Sequence, residues 1–66
     1  MKLQINGETR EVGGATNVTE LVEELGLPAP TLLVEHNGLA LRRDEWPERT
    51  LGEGDRIELM RIAAGG

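Results

Sequence analysis

The sequence predicts an α+β fold, in which one helix packs across one face of a mixed sheet of about five strands. Two Asn-Gly dipeptides predict two β-hairpins, the first after an alternating polar and apolar segment and the second after a strand that contains the apolar run 32–34. A single stretch between them has the apolar spacing of an amphipathic helix. A chain of 66 residues has room for one small domain, which buries only about 60% of the surface of its unfolded chain.

The first hairpin comes from residues 2–12. Residues 2–5 alternate between polar and apolar side chains, and Asn6-Gly7 is a preferred dipeptide for a tight two-residue turn. Residues 8–12 are expected to return as the second strand, which Gly13-Gly14 ends.

The helix has recognisable signals at both ends. Asn17 is a good N-cap, and Glu20 stands three residues later, where its carboxylate is expected to reach back to the Asn17 N–H in a capping box. Gly26 stops the helix and Pro28 prevents its resumption. Four apolar residues share one face at the spacing i, i+3, i+4 and i+7: Val18, Leu21, Val22 and Leu25. The polar face is expected to be solvated: Thr19, Glu20, Glu23 and Glu24.

The second half of the chain repeats the hairpin pattern. Residues 31–36 form a third strand, and Asn37-Gly38 turns the chain back through residues 39–41. Residues 42–49 predict an irregular connection with one short helical turn, because Pro47 breaks any regular element there. A turn over residues 52–55 then leads into a last strand over residues 56–59.

The end of that strand contains a change of register. If Ile57 and Leu59 point into the core, period-two alternation places Met60 and Ile62 on the opposite face. A bulge would instead return both to the core, and the sequence does not choose between the two. In the first case Met60 and Ile62, with Arg61 between them, are candidates for an apolar patch that docks a partner.

Composition excludes several functions. The chain has no Cys, Ser or Tyr and only one His, so it lacks Ser-His and Cys-His nucleophile pairs and a multi-histidine metal site. A net charge of −5 disfavours binding to nucleic acid or to an anionic membrane. No apolar run approaches the ~20 residues of a membrane span, and no signal peptide is recognisable. We therefore expect a cytoplasmic protein that is not itself an enzyme.

The last four residues, Ala63, Ala64, Gly65 and Gly66, carry no charged, polar or bulky side chain. We expect a domain over residues 1–62 and a flexible tail over residues 63–66, which spans at most ~14 Å and is thin enough to enter a narrow channel. Its only reactive group is the Gly66 carboxylate. On the tail's own composition, a frayed chain end is the better explanation.

A wider set of residues resembles a known family. The resemblance covers the whole chain and rests on these positions: Asn37-Gly38, Arg43, Trp46, Leu51, Gly54-Asp55-Arg56-Ile57-Glu58 and Gly65-Gly66. At these spacings the chain looks like the ThiS family, the sulfur carriers of thiamine thiazole biosynthesis. Many members carry Gly where this tail has Ala64.

The resemblance implies a β-grasp, ubiquitin-like fold and a chemistry centred on Gly66, with Gly65 giving access. In this family an E1-like, ThiF-like adenylyltransferase joins the terminal carboxylate to AMP from Mg-ATP. A persulfide then displaces AMP, and a ThiG-like thiazole synthase consumes the resulting thiocarboxylate. The resemblance thus implies no bound cofactor or metal, and it implies partner contacts through residues 60–66.

Other conspicuous residues have structural interpretations. His36, beside a turn, is expected at the solvated surface, and Trp46 is expected to close one edge of the core. Asp55 is expected to hydrogen-bond within its own turn, where Gly54 supplies a positive φ.

Three other functions fit parts of the sequence. The small subunit of molybdopterin synthase uses the same tail chemistry but is typically longer and more aromatic, whereas this chain has one Trp and no Phe or Tyr. A ubiquitin-like modifier is the second alternative, and the single lysine argues against self-linked chains. A purely structural or regulatory binding domain is the third, and it predicts that the tail is dispensable.

Overall fold

The structure is a computed structural model that describes residues 1–62, and it has the predicted α+β architecture. The strands are β1 (Lys2–Ile5), β2 (Glu8–Glu11), β3 (Leu32–His36), β4 (Leu39–Leu41) and β5 (Arg56–Arg61). Helix α1 spans Val18–Leu25, and two short 3-10 helices span Ala29–Thr31 and Arg43–Glu48. The strands form one sheet in the order β2-β1-β5-β3-β4. Only the central β1 and β5 run parallel, so the sheet is mixed.

Both hairpins turn where the sequence predicts. Asn6 and Gly7 have φ values of 51° and 81°, and Asn37 and Gly38 have 49° and 86°. Positive φ at both central positions is the signature of the turn that matches the twist of paired strands. Asparagine tolerates this conformation and glycine adopts it freely, so each dipeptide determines its own turn.

The ends of helix α1 also follow the sequence, with one correction. The Asn17 side chain accepts a hydrogen bond from the Glu20 N–H at 2.9 Å, and Gly26 ends the helix with a φ of 69°. The Glu20 carboxylate, however, accepts from the N–H and the hydroxyl of Thr16, at 2.7 and 2.8 Å, and not from Asn17. Thr16 offers two donors to one carboxylate oxygen, and these hydrogen bonds lower the pKa of Glu20.

The polar face of the helix also contacts the loop that precedes it. The Glu24 carboxylate accepts hydrogen bonds from the N–H groups of Gly13 and Ala15, at 2.7 and 3.3 Å. These contacts hold the loop between β2 and the helix against the last helical turn. Glu24 is exposed, as predicted, but its carboxylate also has a structural role that the sequence did not indicate.

Helix α1 packs on one face of the sheet, which we call the inner face. The buried apolar residues are Leu3, Ile5, Val12, Ala15, Val18, Leu21, Val22, Leu32, Val34, Leu41, Trp46, Leu51 and Ile57. Trp46 is 3% exposed and closes one edge of this core, as predicted. Pro47 lies inside the second 3-10 helix and does not break it, because the fixed φ of proline falls within the 3-10 range. Among residues 1–62, no helix is long and apolar enough to cross a membrane.

Candidate functional site

Strand β5 carries the chain to its last four residues and is held firmly along its length. Its first two residues, Arg56 and Ile57, pair with β1. Its pairing with β3 continues as far as Arg61, which lies opposite Leu32. One residue further on, the Ile62 N–H donates to the Thr31 carbonyl at 2.7 Å. The tail, residues 63–66, lies outside the described residues, so the predictions for it stay predictions. What the structure shows is an anchored chain up to Ile62.

The two hairpin asparagines support β5 at both ends. Beyond the end of β1, the Asn6 amide accepts from the Leu59 N–H at 2.8 Å and donates to the Leu59 carbonyl at 3.2 Å. At the other end, the Asn37 side chain accepts from the Arg56 N–H at 2.8 Å. Sequence reasoning gave both asparagines a turn role only. Each therefore has a second role, which is to satisfy backbone groups of the strand that carries the tail.

An exposed apolar patch lies on the outer face of the sheet next to the tail. Met60 is 46% exposed and Ile62 is 50% exposed. Strand β5 keeps an unbroken register against β3 from Ile57 to Arg61, so the alternative of a bulge that returns them to the core is wrong. Leu33 lies directly opposite Met60 and is 48% exposed. We call Leu33, Met60 and Ile62 the outer patch.

The structure changes the predicted docking set at one member, Arg61, and adds one residue, Leu33. Arg61 lies between Met60 and Ile62 in sequence, but it is opposite the buried Leu32 and so belongs to the inner face. Leu33 was missed, although its place between Leu32 and Val34 in an alternating strand points to the outer face.

The prediction of a solvated His36 was wrong. The residue is 6% exposed, because strand alternation places it on the inner face with Leu32 and Val34. Its Nε2 lies 2.7 Å from Asp55 Oδ2, and Arg49 Nε donates to its Nδ1 at 3.0 Å. Since Arg Nε can only donate, Nδ1 is the acceptor, and the Nε2–H group donates a hydrogen bond to Asp55 Oδ2.

Asp55 also makes the predicted hydrogen bond within its own turn, from the Gly52 N–H at 2.8 Å. Burial alone would raise the pKa of Asp55, but the hydrogen bonds from His36 and Gly52 outweigh burial and hold this pKa below its usual value. The cluster lies at the start of β5, at the other end of the strand from the tail. Its contacts join three segments of the chain, which is a structural role.

The strand order, the single helix and a last strand that leads to Gly-Gly define a class: the small ubiquitin-like β-grasp proteins. Comparison with known proteins identifies the group within this class. The ThiS family matches residues 3–66, and the chain belongs to this family.

Individual relatives agree with this family membership. The sulfur carrier protein ThiS of Thermus thermophilus is 36% identical over 62 residues, which are 94% of this chain and 95% of that protein. The crystal structure of a thiamine biosynthesis protein, ThiS, from Geobacter metallireducens superposes with a TM-score of 0.87 at 38% identity, and all of both chains is covered. An NMR structure of a thiamine biosynthesis protein from that organism gives a TM-score of 0.82 at 36% identity, covering 100% of this chain and 88% of the other.

A further relative is much longer than this chain. A protein named thiazole synthase, from Paramagnetospirillum magneticum, is 32% identical over all 66 residues of this chain, which spans only 20% of that protein's length. A region similar to this chain therefore occurs within a larger polypeptide of that name.

Proposed function

We propose that the chain carries sulfur as a thiocarboxylate on Gly66 for the thiazole ring of thiamine. An E1-like, ThiF-like adenylyltransferase activates the carboxylate with Mg-ATP and releases pyrophosphate. The outer sulfur of a persulfide donor then displaces AMP and forms an acyl disulfide, whose S–S bond a thiol reductant cleaves to leave the thiocarboxylate. A ThiG-like thiazole synthase takes the sulfur from the thiocarboxylate. Membership of the ThiS family supports this role, and so does the relative named thiazole synthase.

The observation that carries the proposal is the anchoring of β5 up to Ile62. Because the chain is fixed there, four further residues place the Gly66 carboxylate at most ~14 Å away. An enzyme that docks on the domain can therefore receive the carboxylate within a small volume. The ordering cost is confined to the short tail, which keeps the entropic cost of presentation low.

The chemistry requires an external activator. A carboxylate is a poor acyl donor, because a nucleophile must add to an anion and expel an oxide, whereas an acyl-adenylate expels AMP. The chain contains no Cys to capture its own acyl-adenylate. We propose that the chain contributes no catalytic side chain and that ATP and Mg are used by the activating enzyme.

The outer patch is the proposed docking surface. Leu33 and Met60 pair across neighbouring strands, and Ile62 follows on the same side next to the tail. Exposed apolar side chains that cluster in this way are typical of interaction sites. Residues 60–66 thus remain the proposed partner contacts, with Leu33 added, while Arg61 contributes from the inner face.

Transfer of labelled sulfur tests the proposal. The cognate adenylyltransferase, ATP and a persulfide donor labelled with ³⁵S should label the carrier, and addition of the cognate thiazole synthase with its other substrates should move the label into the thiazole. A variant that lacks Gly66 is the control and should carry no label. Label in the thiazole without passage through the carrier would refute the proposal.

A further inference from the structure

A groove of about 240 Å³ lies on the inner face, beside the strand that carries the tail. Helix α1 has only eight residues and leaves this corner of the sheet uncovered. The groove is lined by Ile5, Asn6, Arg10, Leu25, Leu27, Leu32, Leu59 and Arg61. Its surface is thus mainly aliphatic, with an arginine contributed by β2 and another by β5. Of the residues that line this groove, the proposed function uses Arg61 alone.

The groove differs in charge from the rest of the protein. The net charge of the chain is −5, yet among residues 1–62 the only charged side chains that line the groove are Arg10 and Arg61. Both are exposed, and within residues 1–62 neither forms an ion pair. An anionic group is repelled by the protein as a whole but attracted here, so the two guanidinium groups favour one orientation of an acidic partner.

The size of the groove narrows the choice of occupant. A volume of about 240 Å³ is below the roughly 300–1,000 Å³ of sites for cofactors and drug-sized ligands. It suits one or two apolar side chains next to a carboxylate. A folded partner has already ordered the side chains that it presents, so little further ordering cost opposes their entry into the groove.

We propose that this groove docks an acidic, apolar segment of the thiazole synthase. A partner carboxylate lies between Arg10 and Arg61, and an apolar partner side chain packs against Leu27 and Leu59. Because β5 contributes Met60 to the outer patch and Leu59 to the groove, the enzyme contacts both faces of the strand from which the tail extends. This inference rests on the proposed function, in which thiazole synthase is the receiving enzyme.

Charge reversal tests the proposal. In R10E/R61E, the Kd for the cognate thiazole synthase, measured by titration calorimetry, should rise about tenfold or more in low salt, and the difference should shrink as salt screens the charges. The matched control K2E/R42E makes the same change in net charge at exposed positions outside the groove, and its Kd should stay within about threefold of wild type. The variant R10K/R61K keeps both charges and should retain most of the affinity.

Two parallel measurements separate a failure of the groove proposal from misfolding and from a failure of the proposed function. Melting temperatures check that all variants fold, and thiocarboxylate formation by the adenylyltransferase checks the proposed function separately. If wild type forms no thiocarboxylate, the proposed function fails. If it does, and R10E/R61E binds the synthase as wild type does or loses no more affinity than K2E/R42E, the groove proposal fails. NMR of the carrier without enzyme tests the tail as the occupant. If deletion of residues 63–66 changes the signals of the Leu25 and Leu27 methyl groups, the tail occupies the groove and the groove proposal is also overturned.

Discussion

His36 Nε2 lies 2.7 Å from Asp55 Oδ2, in a contact that joins the end of β3 to the turn before β5. The histidine is almost fully buried, and Asp55 is its partner at Nε2. Replacement of Asp55 by Ala leaves a buried N–H without an acceptor and should lower the free energy of unfolding by about 1–3 kcal/mol.

Urea denaturation measures this loss. Glu58→Ala is the control, because Glu58 is an exposed acid on the outer face and its loss should change stability by no more than about 0.5 kcal/mol. Equal stability of wild type and Asp55→Ala would show that the contact contributes nothing to the fold.

The same aspartate makes stability depend on pH. Its pKa is lower in the folded state than its ordinary value of 3.8, so the folded protein binds its proton less tightly than the unfolded chain does. The stabilisation is fully present above the unfolded pKa and is lost as the pH falls through the folded pKa. As the pH falls from 6 to about 2, the free energy of unfolding should therefore decrease more steeply for wild type than for Asp55→Asn. Parallel pH profiles of the two proteins would contradict this assignment.

The outer patch should affect binding and leave the fold intact. Met60→Ser with Ile62→Ser removes two exposed side chains, so the melting temperature should change little, while binding to the adenylyltransferase should weaken by about 2 kcal/mol or more. Leu39→Ser is a matched control, because Leu39 is 49% exposed but lies opposite His36 on β4, away from the patch. Titration calorimetry gives the affinities. A large fall in melting temperature without a specific loss of binding would assign both residues to the core.

Asn6 should hold the end of β5. Asn6→Gly keeps the positive φ of the turn but removes the amide that bonds both backbone groups of Leu59. One lost hydrogen bond is worth about 1 kcal/mol, so amide exchange at Leu59 should accelerate about fivefold. Asn37→Gly serves as the comparison and should affect Arg56 at the other end of the strand. Unchanged protection of Leu59 in Asn6→Gly would exclude this role.

Local signals in the sequence predicted most elements of the fold. Asn37-Gly38 determines its turn through its own backbone preferences, and Asn17 and Gly26 determine the ends of the helix in the same way. These are interactions between residues close in sequence, so a single sequence is enough to identify them. The resemblance to the ThiS family added the expected architecture, and the structure agrees with it.

Some of what was missed concerns contacts between distant parts of the chain. Asn6 and Leu59 are 53 positions apart, and no local pattern pairs them. For His36, the turn beside it suggested the surface, while the alternation from Leu32 through Val34 pointed inward and was correct. The groove beside Arg61 was also unpredictable, because it depends on how far the short helix extends across the sheet.

The most direct test of the sulfur-carrier role is the mass of the intact chain after incubation with the cognate adenylyltransferase, Mg-ATP, a persulfide source and a thiol reductant. Replacement of one carboxylate oxygen by sulfur should add about 16 Da, and fragmentation should place the increase on Gly66. The variant without Gly66 should fold normally and show no increase. An increase that persists in this variant, or that maps to any residue other than Gly66, would contradict a terminal thiocarboxylate.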